Sequence, residues 1–141
     1  MKTLVLASSS PRRIEWLTKL KIPFTQRSAD CDETILPNEG MDSAVARLSI
    51  AKAFAVSELY PESYILGVDT LVGIDDKILG KPDNQDQAFE MLKSLQGNTH
   101  LVASGYTIYC SQDKYLKTAV CHTKVTICKL SDSEIRDYID S

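Results

Sequence analysis

Short apolar runs alternate along the chain with longer stretches in which apolar residues recur at helical spacing. Runs rich in Leu, Val and Ile predict buried strands, and the two longest alternate with polar residues and predict an antiparallel pair. The expected strands are residues 3–7, 22–27, 64–68, 71–74, 77–79, 100–110 and 115–128, and the expected helices are 11–21, 43–60, 84–96 and one that begins near 131. This order predicts an α/β fold: a single domain, residues 1–141, with a twisted mixed sheet flanked by helices and a cleft at the strand ends.

Turn and capping residues support these boundaries. Pro11 suits the first position of a helix, because its missing N–H has no partner there in any case. Ser10 is then the N-cap, with a hydroxyl that accepts from the first turn. The other expected signals are an N-cap at Asp42 or Ser43, a hairpin turn at Asp75-Asp76, a helix stop at Gly97 and a capping box from Ser131 to Glu134.

The composition narrows the class of protein. With 43% hydrophobic and 25% charged residues, the chain can bury a core, and its net charge of −3 argues against a broad basic face for nucleic acid. No apolar run reaches membrane-spanning length, and the first 20 residues are too charged for a signal peptide. The four cysteines form no C-x-x-C pair, which indicates reduced thiols. We therefore expect a cytoplasmic protein whose partners include neither nucleic acid nor a membrane.

The segment from Ser8 to Arg13 carries the first candidate chemistry. It follows an apolar strand with three serines, a proline and two arginines at the start of a helix. Helix N–H groups, the helix dipole and guanidinium groups together favour an anion, and phosphate is the obvious one. The alternative is an ordinary capped, solvated helix start, and the segment alone does not decide between them.

Lys52 is an exception in an apolar stripe. Val45, Leu48, Ala55 and Leu59 share one face of the long helix, and Lys52 lies in the middle of it. A lysine there must be paired, must extend its ammonium to water, or must point into a cleft. The functional interpretation is an ammonium directed at phosphate.

Three carboxylates form the second candidate group. Asp69 follows the apolar run 65–68, at a strand end where open α/β sheets bind ligands; the alternative is an Asx-turn that opens the hairpin. Asp32 and Glu33 lie in a polar loop and, with Asp69, could hold Mg²⁺; the alternative is a solvated acidic loop. Together with Arg13 and the lysines, this set predicts phosphoryl chemistry. His100 and His122 stand alone and are interpreted as structural, with satisfied hydrogen bonds.

In the order of its motifs the whole chain resembles the Maf family of nucleoside triphosphate pyrophosphatases. The matching segments are residues 7–13, 32–33, 47–48, 52–53, 67–70, 79–82, 91–92, 95–102, 123–125 and 130–131. The resemblance implies a Maf/ITPase-like fold and metal-dependent hydrolysis, with Mg²⁺ or Mn²⁺, of dTTP or UTP to the monophosphate and pyrophosphate. It also suggests a homodimer.

The resemblance assigns roles residue by residue. Asp69 matches the proton acceptor that activates water, and Glu33 matches a metal-associated carboxylate. The phosphate-binding positions are Ser8, Arg13, Lys52 and Lys81, and the positions linked to base selectivity are Arg12 and Thr70. A sister group that acts on 7-methyl-GTP has Trp in place of Arg12 and Gln in place of Thr70, so the resemblance favours the dTTP/UTP group.

The sequence departs from the family after Ser131. Family members continue through a segment with a Gln linked to substrate selectivity, so we expect a C-terminally truncated domain. Three hypotheses therefore remain: a pyrimidine nucleotide pyrophosphatase; a pyrophosphatase for another nucleotide, such as a purine or a methylated base; and a non-catalytic nucleotide-binding or septum-regulating protein, or an inactive fragment.

Overall fold

The structure is a computed structural model that describes residues 3–75 and 77–140. Strands and helices alternate in its first part, as the apolar runs predict. The elements are β1 (Leu4–Ala7), α1 (Pro11–Lys19), β2 (Thr25–Gln26), α2 (Met41–Ser57), β3 (Tyr64–Ile74), β4 (Lys77–Leu79), α3 (Gln85–Leu95), β5 (Thr99–Cys110), β6 (Tyr115–Thr126) and α4 (Asp132–Asp140).

In the part of the chain that the structure describes, one mixed sheet contains the six strands, in the order β2-β1-β3-β5-β6 with β4 paired to β3. β1 pairs in parallel with β2 and β3, whereas β3 and β4 are antiparallel. The α/β fold with a mixed sheet and flanking helices is therefore confirmed. The chain forms two compact units: one comprises the described residues up to Thr70 with Ser104–Cys121, and the other comprises Leu71–Ala103 with the described residues from His122 onward.

The first unit has its apolar core between α2 and the sheet. Its cluster of buried residues comes from β1, α2 and β3: Val5, Ala7, Ala53, Val56 and Ile65. Glycines let the helix come close, because a Cβ on Gly67 would lie 2.2 Å from the Ser49 carbonyl oxygen and one on Gly105 would lie 2.3 Å from the Val45 carbonyl oxygen. The backbone of α2 therefore packs directly against β3 and β5.

The second unit contains the β3–β4 hairpin and two capped helices. Asn84 caps α3 by accepting from the Gln87 N–H at 2.8 Å, and Gly97 follows that helix with a φ of 68°. The predicted capping box of α4 is present, since the Glu134 N–H donates to Ser131 Oγ and the Ser131 N–H to Glu134 Oε1, both at 3.2 Å. Phe89, Leu95 and Ile135 are buried in this unit.

Several boundaries differ from the sequence prediction. α2 begins after Gly40, not after Asp42 or Ser43, and it ends at Ser57. The apolar stripe is shifted accordingly: Val56 is buried while Leu59 lies beyond the helix and is exposed. The predicted hairpin is confirmed by the pairing of residues 72–74 with 77–79; of its turn, Asp75 has a φ of 49° and Asp76 lies outside the described residues.

β3 is the most informative difference. The sequence predicts a strand end at Asp69-Thr70, but β3 runs without a break from Tyr64 to Ile74. Consecutive residues of a strand point to opposite faces of the sheet. Asp69 and Thr70 therefore present their side chains on opposite faces, although both lie just past the last β1 pair, Ala7–Gly67.

Within residues 3–75 and 77–140, no helix has both the length and the apolar character needed to cross a membrane.

His100 is buried in the second unit, and its Nδ1 has no hydrogen-bond partner. The expectation that His100 is a fully satisfied structural histidine is therefore wrong.

Candidate functional site

The loop after β1 is organised by Ser8. The Ser8 hydroxyl oxygen accepts from the Ser10 N–H and from Arg13 Nη1, both at 3.1 Å. The Ser8 carbonyl accepts from Gln26 Nε2 at 2.6 Å. Ser10 occupies the N-cap position of α1, and Pro11 follows it, but the Ser10 side chain makes no capping hydrogen bond. The capping role predicted for the Ser10 hydroxyl is thus wrong, because the loop bonds internally through Ser8.

Arg13 lies where β1 stops and β3 continues. Its Nη1 donates to the Val68 carbonyl at 3.1 Å, an acceptor that a longer β1 would have paired. Its Nη2 donates to Thr70 Oγ1 at 3.2 Å. Burial lowers the pKa of Arg13 and the nearby Asp69 carboxylate opposes that shift, so the guanidinium remains a cation. Protein acceptors therefore hold this charge in one orientation.

Lys52 is buried on α2, as the sequence pattern predicts, and it is paired. Its ammonium donates to Asp69 Oδ1 at 2.8 Å and contacts Glu33 Oε1 at 2.8 Å, with the Val68 carbonyl at 3.4 Å. Burial by itself lowers the pKa of Lys52, but the hydrogen bonds to Asp69 and Glu33 outweigh it and the pKa is raised. Lys52 is therefore a permanent cation joined to two carboxylates.

Asp69 has an unused oxygen. The residue is only 6% exposed, and while Oδ1 bonds Lys52, Oδ2 has no hydrogen-bond partner. An unpartnered buried carboxylate oxygen is costly, because it has lost water without a replacement. The arrangement thus leaves one strong acceptor available for a water molecule or a cation.

Glu33 stands on the loop between β2 and α2, and Arg47 holds that loop. Arg47 forms a two-pronged ion pair with Glu39 at 2.7 and 2.9 Å and donates to the Thr34 carbonyl at 2.9 Å. The hydrogen bonds from Arg47 and from the Leu36 N–H lower the pKa of Glu39 to about 2. The sequence pattern did not predict this pair, although an arginine on a helix that follows an acidic loop was the available signal.

Asp32 forms hydrogen bonds within its own loop. Its Oδ1 accepts from the Thr34 N–H at 2.9 Å and from the Thr34 hydroxyl at 2.5 Å, and these bonds lower its pKa. Burial raises the pKa of Cys31, the preceding residue, so its thiol is protonated and is a poor nucleophile. The candidate chemistry on this loop therefore rests on Glu33.

The remaining predicted residues have different surroundings. Arg12 is exposed in the first turn of α1. Thr70 accepts from Arg13 and forms a hydroxyl pair with Ser104 at 3.0 Å. Lys81 is exposed after β4 and belongs to the second unit. The first unit thus forms two groups, Ser8, Arg13 and Thr70, and Glu33, Lys52 and Asp69, and the roles of all the predicted site residues, Arg12 and Lys81 included, stay predictions.

The carboxylates can be tested against a metal ion. Within the described residues, no three or more His, Cys, Asp or Glu side chains form a group that could hold a metal. Glu33 and Asp69 meet at Lys52, and the free Asp69 Oδ2 is a hard oxygen donor. Mg²⁺ and Mn²⁺ prefer such oxygens, and Mg²⁺ commonly takes only one or two carboxylates with substrate phosphates and water. This pair therefore fits a substrate-associated divalent cation and does not fit an all-protein metal cage.

Comparison with known proteins identifies the family. A sequence profile described as "Maf-like protein" matches residues 3–141. A relative from Desulfotalea psychrophila named dTTP/UTP pyrophosphatase is 36% identical over 138 residues, covering 98% of this chain and 71% of the relative. One of the same name from Pseudoalteromonas translucida is 46% identical over 137 residues, covering 96% and 71%. The structure of a HAM1 protein from Coxiella burnetii, 12% identical, shares the fold with a TM-score of 0.56, covering 88% of this chain and 71% of that one.

Proposed function

The chain belongs to the family of Maf-like proteins, and we propose that it is a nucleoside triphosphate pyrophosphatase that acts on dTTP and UTP. The observation that carries the proposal is the buried Asp69 carboxylate, which is bonded to Lys52 through one oxygen and unpartnered at the other. A carboxylate of this kind can orient a water molecule and accept its proton. The Arg13 guanidinium, fixed nearby, supplies positive charge for a triphosphate.

The reaction we propose is attack of water on the α-phosphorus. Asp69 Oδ2 takes a proton from the water, the oxygen bonds to the α-phosphorus, and the bond to the bridging oxygen between the α- and β-phosphates breaks. Pyrophosphate leaves with the electron pair of that bond. Ser8, Arg13, Lys52 and Lys81 are the proposed phosphate-binding residues, because phosphoryl transfer depends mainly on positioning and on neutralising charge.

A divalent cation, Mg²⁺ or Mn²⁺, is part of the proposal. Glu33 and Asp69 are the residues that would hold it. When bound, it supplies positive charge to the phosphate oxygens. Arg12 and Thr70 are the proposed selectivity residues. A homodimer and a cytoplasmic location also remain predictions.

Lys52 gives the site a specific requirement. An ammonium has three protons, and among the described residues its three acceptors are Asp69 Oδ1, Glu33 Oε1 and the Val68 carbonyl. A phosphate oxygen therefore binds Lys52 by displacing one of them. Glu33 is the acceptor most easily displaced, since its side chain is 51% exposed while that of Asp69 is 9% exposed. We propose that substrate binding separates Glu33 from Lys52.

The test is release of pyrophosphate by the full chain from a panel of canonical and modified nucleoside triphosphates, with and without Mg²⁺ or Mn²⁺. We expect metal-dependent release that favours dTTP and UTP. Preferential cleavage of a purine or methylated nucleotide would replace the proposed substrate. Stoichiometric binding without turnover, from a sample that unfolds cooperatively, would contradict the proposed activity and favour a nucleotide-binding role.

A further inference from the structure

Ser104 on β5 extends the hydrogen bonds of Arg13. Its Oγ lies 3.0 Å from Thr70 Oγ1, which in turn accepts from Arg13 Nη2 at 3.2 Å. All three residues belong to the first unit. Ser104 was not among the residues predicted from the sequence, since a serine in a long strand has no distinctive pattern.

The packing of β5 explains why Ser104 meets Thr70. At the next position of β5, a Cβ on Gly105 would lie 2.3 Å from the Val45 carbonyl of α2. Residue 105 therefore faces α2, and Ser104, its neighbour on the strand, points to the other side of the sheet. Thr70 is on that same side because Asp69, its neighbour, faces Lys52 of α2.

The chemistry of the three groups orders their hydrogen bonds. A guanidinium only donates, so Thr70 Oγ1 must be the acceptor in its bond with Arg13. A hydroxyl that accepts from a cation is polarised and becomes a stronger donor. The favoured order is therefore from Arg13 to Thr70 and from Thr70 to Ser104, and the Ser104 oxygen fixes the rotation of the Thr70 hydroxyl.

We infer that Ser104 is a positioning residue of the group formed by Ser8, Arg13 and Thr70. Ser104 acts through Thr70 to hold the Arg13 guanidinium in the orientation that binds a triphosphate. The inference rests on the proposed function for the identity of the substrate. Without the Ser104 oxygen, the Thr70 hydroxyl turns freely and presents a lone pair to Arg13 for only part of the time. Arg13 then keeps its bonds to Ser8 and Val68 and loses its third anchor.

The experiment compares Ser104→Ala with a matched control. The control is Thr99→Ala, because Thr99 Oγ1 forms an exposed hydroxyl pair of the same kind with Thr126 Oγ1, at 2.7 Å and in the second unit. We expect Ser104→Ala to raise KM for dTTP by about three- to tenfold, in line with the loss of one hydrogen bond between neutral groups, with kcat changed less than KM. Thr99→Ala should leave both constants unchanged, and Ser104→Thr, which restores a hydroxyl, should recover most of the loss.

A double variant tests whether Ser104 acts through Thr70 or contacts the triphosphate independently of it. If Ser104 acts through Thr70, then Thr70→Val with Ser104→Ala should be no worse than Thr70→Val alone. Additive losses, or an unchanged KM in Ser104→Ala, would overturn the inference. The same variants are titrated with tripolyphosphate, which carries no nucleoside: weakened binding in Ser104→Ala supports the inference even if dTTP is not hydrolysed, and unchanged binding contradicts it whether or not the chain is an enzyme.

Discussion

Helix α2 carries two cations that hold carboxylates of the same loop, and the two pairs are built differently. Arg47 meets Glu39 with two nitrogens, and both Glu39 oxygens are used, Oε1 also accepting from the Leu36 N–H. Lys52 meets Glu33 and Asp69 with one nitrogen, and Asp69 Oδ2 is left buried and unpartnered. Arg47 and Lys52 are five residues apart on one helix. Both carboxylate oxygens of Glu39 have hydrogen-bond donors, whereas Asp69 has one oxygen without a donor.

The difference separates a structural ion pair from a candidate chemical site. A planar guanidinium matches a carboxylate in two places, which favours Arg where a fixed geometry is needed. An ammonium is a point charge that can exchange one acceptor for another. The Arg47 pair therefore fixes the loop, and the Lys52 cluster keeps the capacity to rearrange around a phosphate.

The largest effect is expected from Asp69→Asn, which keeps the shape of the side chain but removes its charge. Loss of a general base costs about 100-fold or more in turnover, so pyrophosphate release should fall at least that far. Binding of a non-hydrolysable dTTP analogue, measured by calorimetry, should change far less because Arg13 and Lys52 remain. Asp86→Asn, an exposed carboxylate in the first turn of α3, is the control. Turnover retained in Asp69→Asn would remove Asp69 from the reaction.

The different roles of the Lys52 and Arg47 ion pairs are tested by two variants, Lys52→Met and Arg47→Met. Each variant replaces a long cation of α2 with an uncharged side chain of similar length. Lys52→Met leaves the buried Asp69 carboxylate without its ammonium partner, which costs about 3 kcal/mol or more of the free energy of unfolding, and it removes a proposed phosphate ligand. Turnover should be nearly abolished.

Arg47→Met should have a smaller effect of another kind. It releases the Glu39 and Thr34 end of the loop, so the melting temperature should fall less than in Lys52→Met and turnover should fall only through poorer placement of Glu33. Thermal unfolding and steady-state kinetics on both variants measure this. Equal losses of turnover would show that the two pairs do not differ in role.

The sequence predicted where the charged groups are, and much less about what they touch. An apolar stripe interrupted by Lys52 shows that a charge is buried, but its partners come from a loop and a strand that the helix pattern does not include. The sequence predicted a strand end at Asp69-Thr70 because two polar residues interrupt an apolar run there. β3 continues there, and the two polar side chains find partners on its opposite faces, Asp69 Oδ1 with Lys52 and Thr70 with Arg13.

In the segment from Ser8 to Arg13, too, the sequence predicted the local structure but not the contacts. Pro11 at the start of α1 was predicted correctly from its missing N–H. Which of three consecutive serines would bond the loop was not, since Ser8 is selected by Arg13 and by the Gln26 side chain that anchors its carbonyl. Local sequence signals were enough to predict where the helix begins, whereas tertiary contacts determine which serine hydroxyl forms the hydrogen bonds.

The smallest expected effect is on the stability of the fold at acidic pH, and it depends on the ion pair between Glu39 and Arg47. The pKa of Glu39 is lowered from an ordinary value of 4.5 to about 2 in the folded chain. The folded state therefore binds this proton less readily than the unfolded state. The stability that Glu39 contributes is complete above pH 4.5 and is lost as the pH falls through about 2.

Glu39→Gln should remove that contribution, so the variant is less stable than the wild type near neutral pH and the difference narrows between pH 4.5 and about 2. Urea unfolding at several pH values measures the difference. Glu15→Gln is the control, because Glu15 forms an exposed pair with Lys19 at 2.8 Å within α1, and such pairs contribute little. A Glu39→Gln difference that stays constant across this pH range would mean that the Arg47 pair does not stabilise the folded loop through its charge.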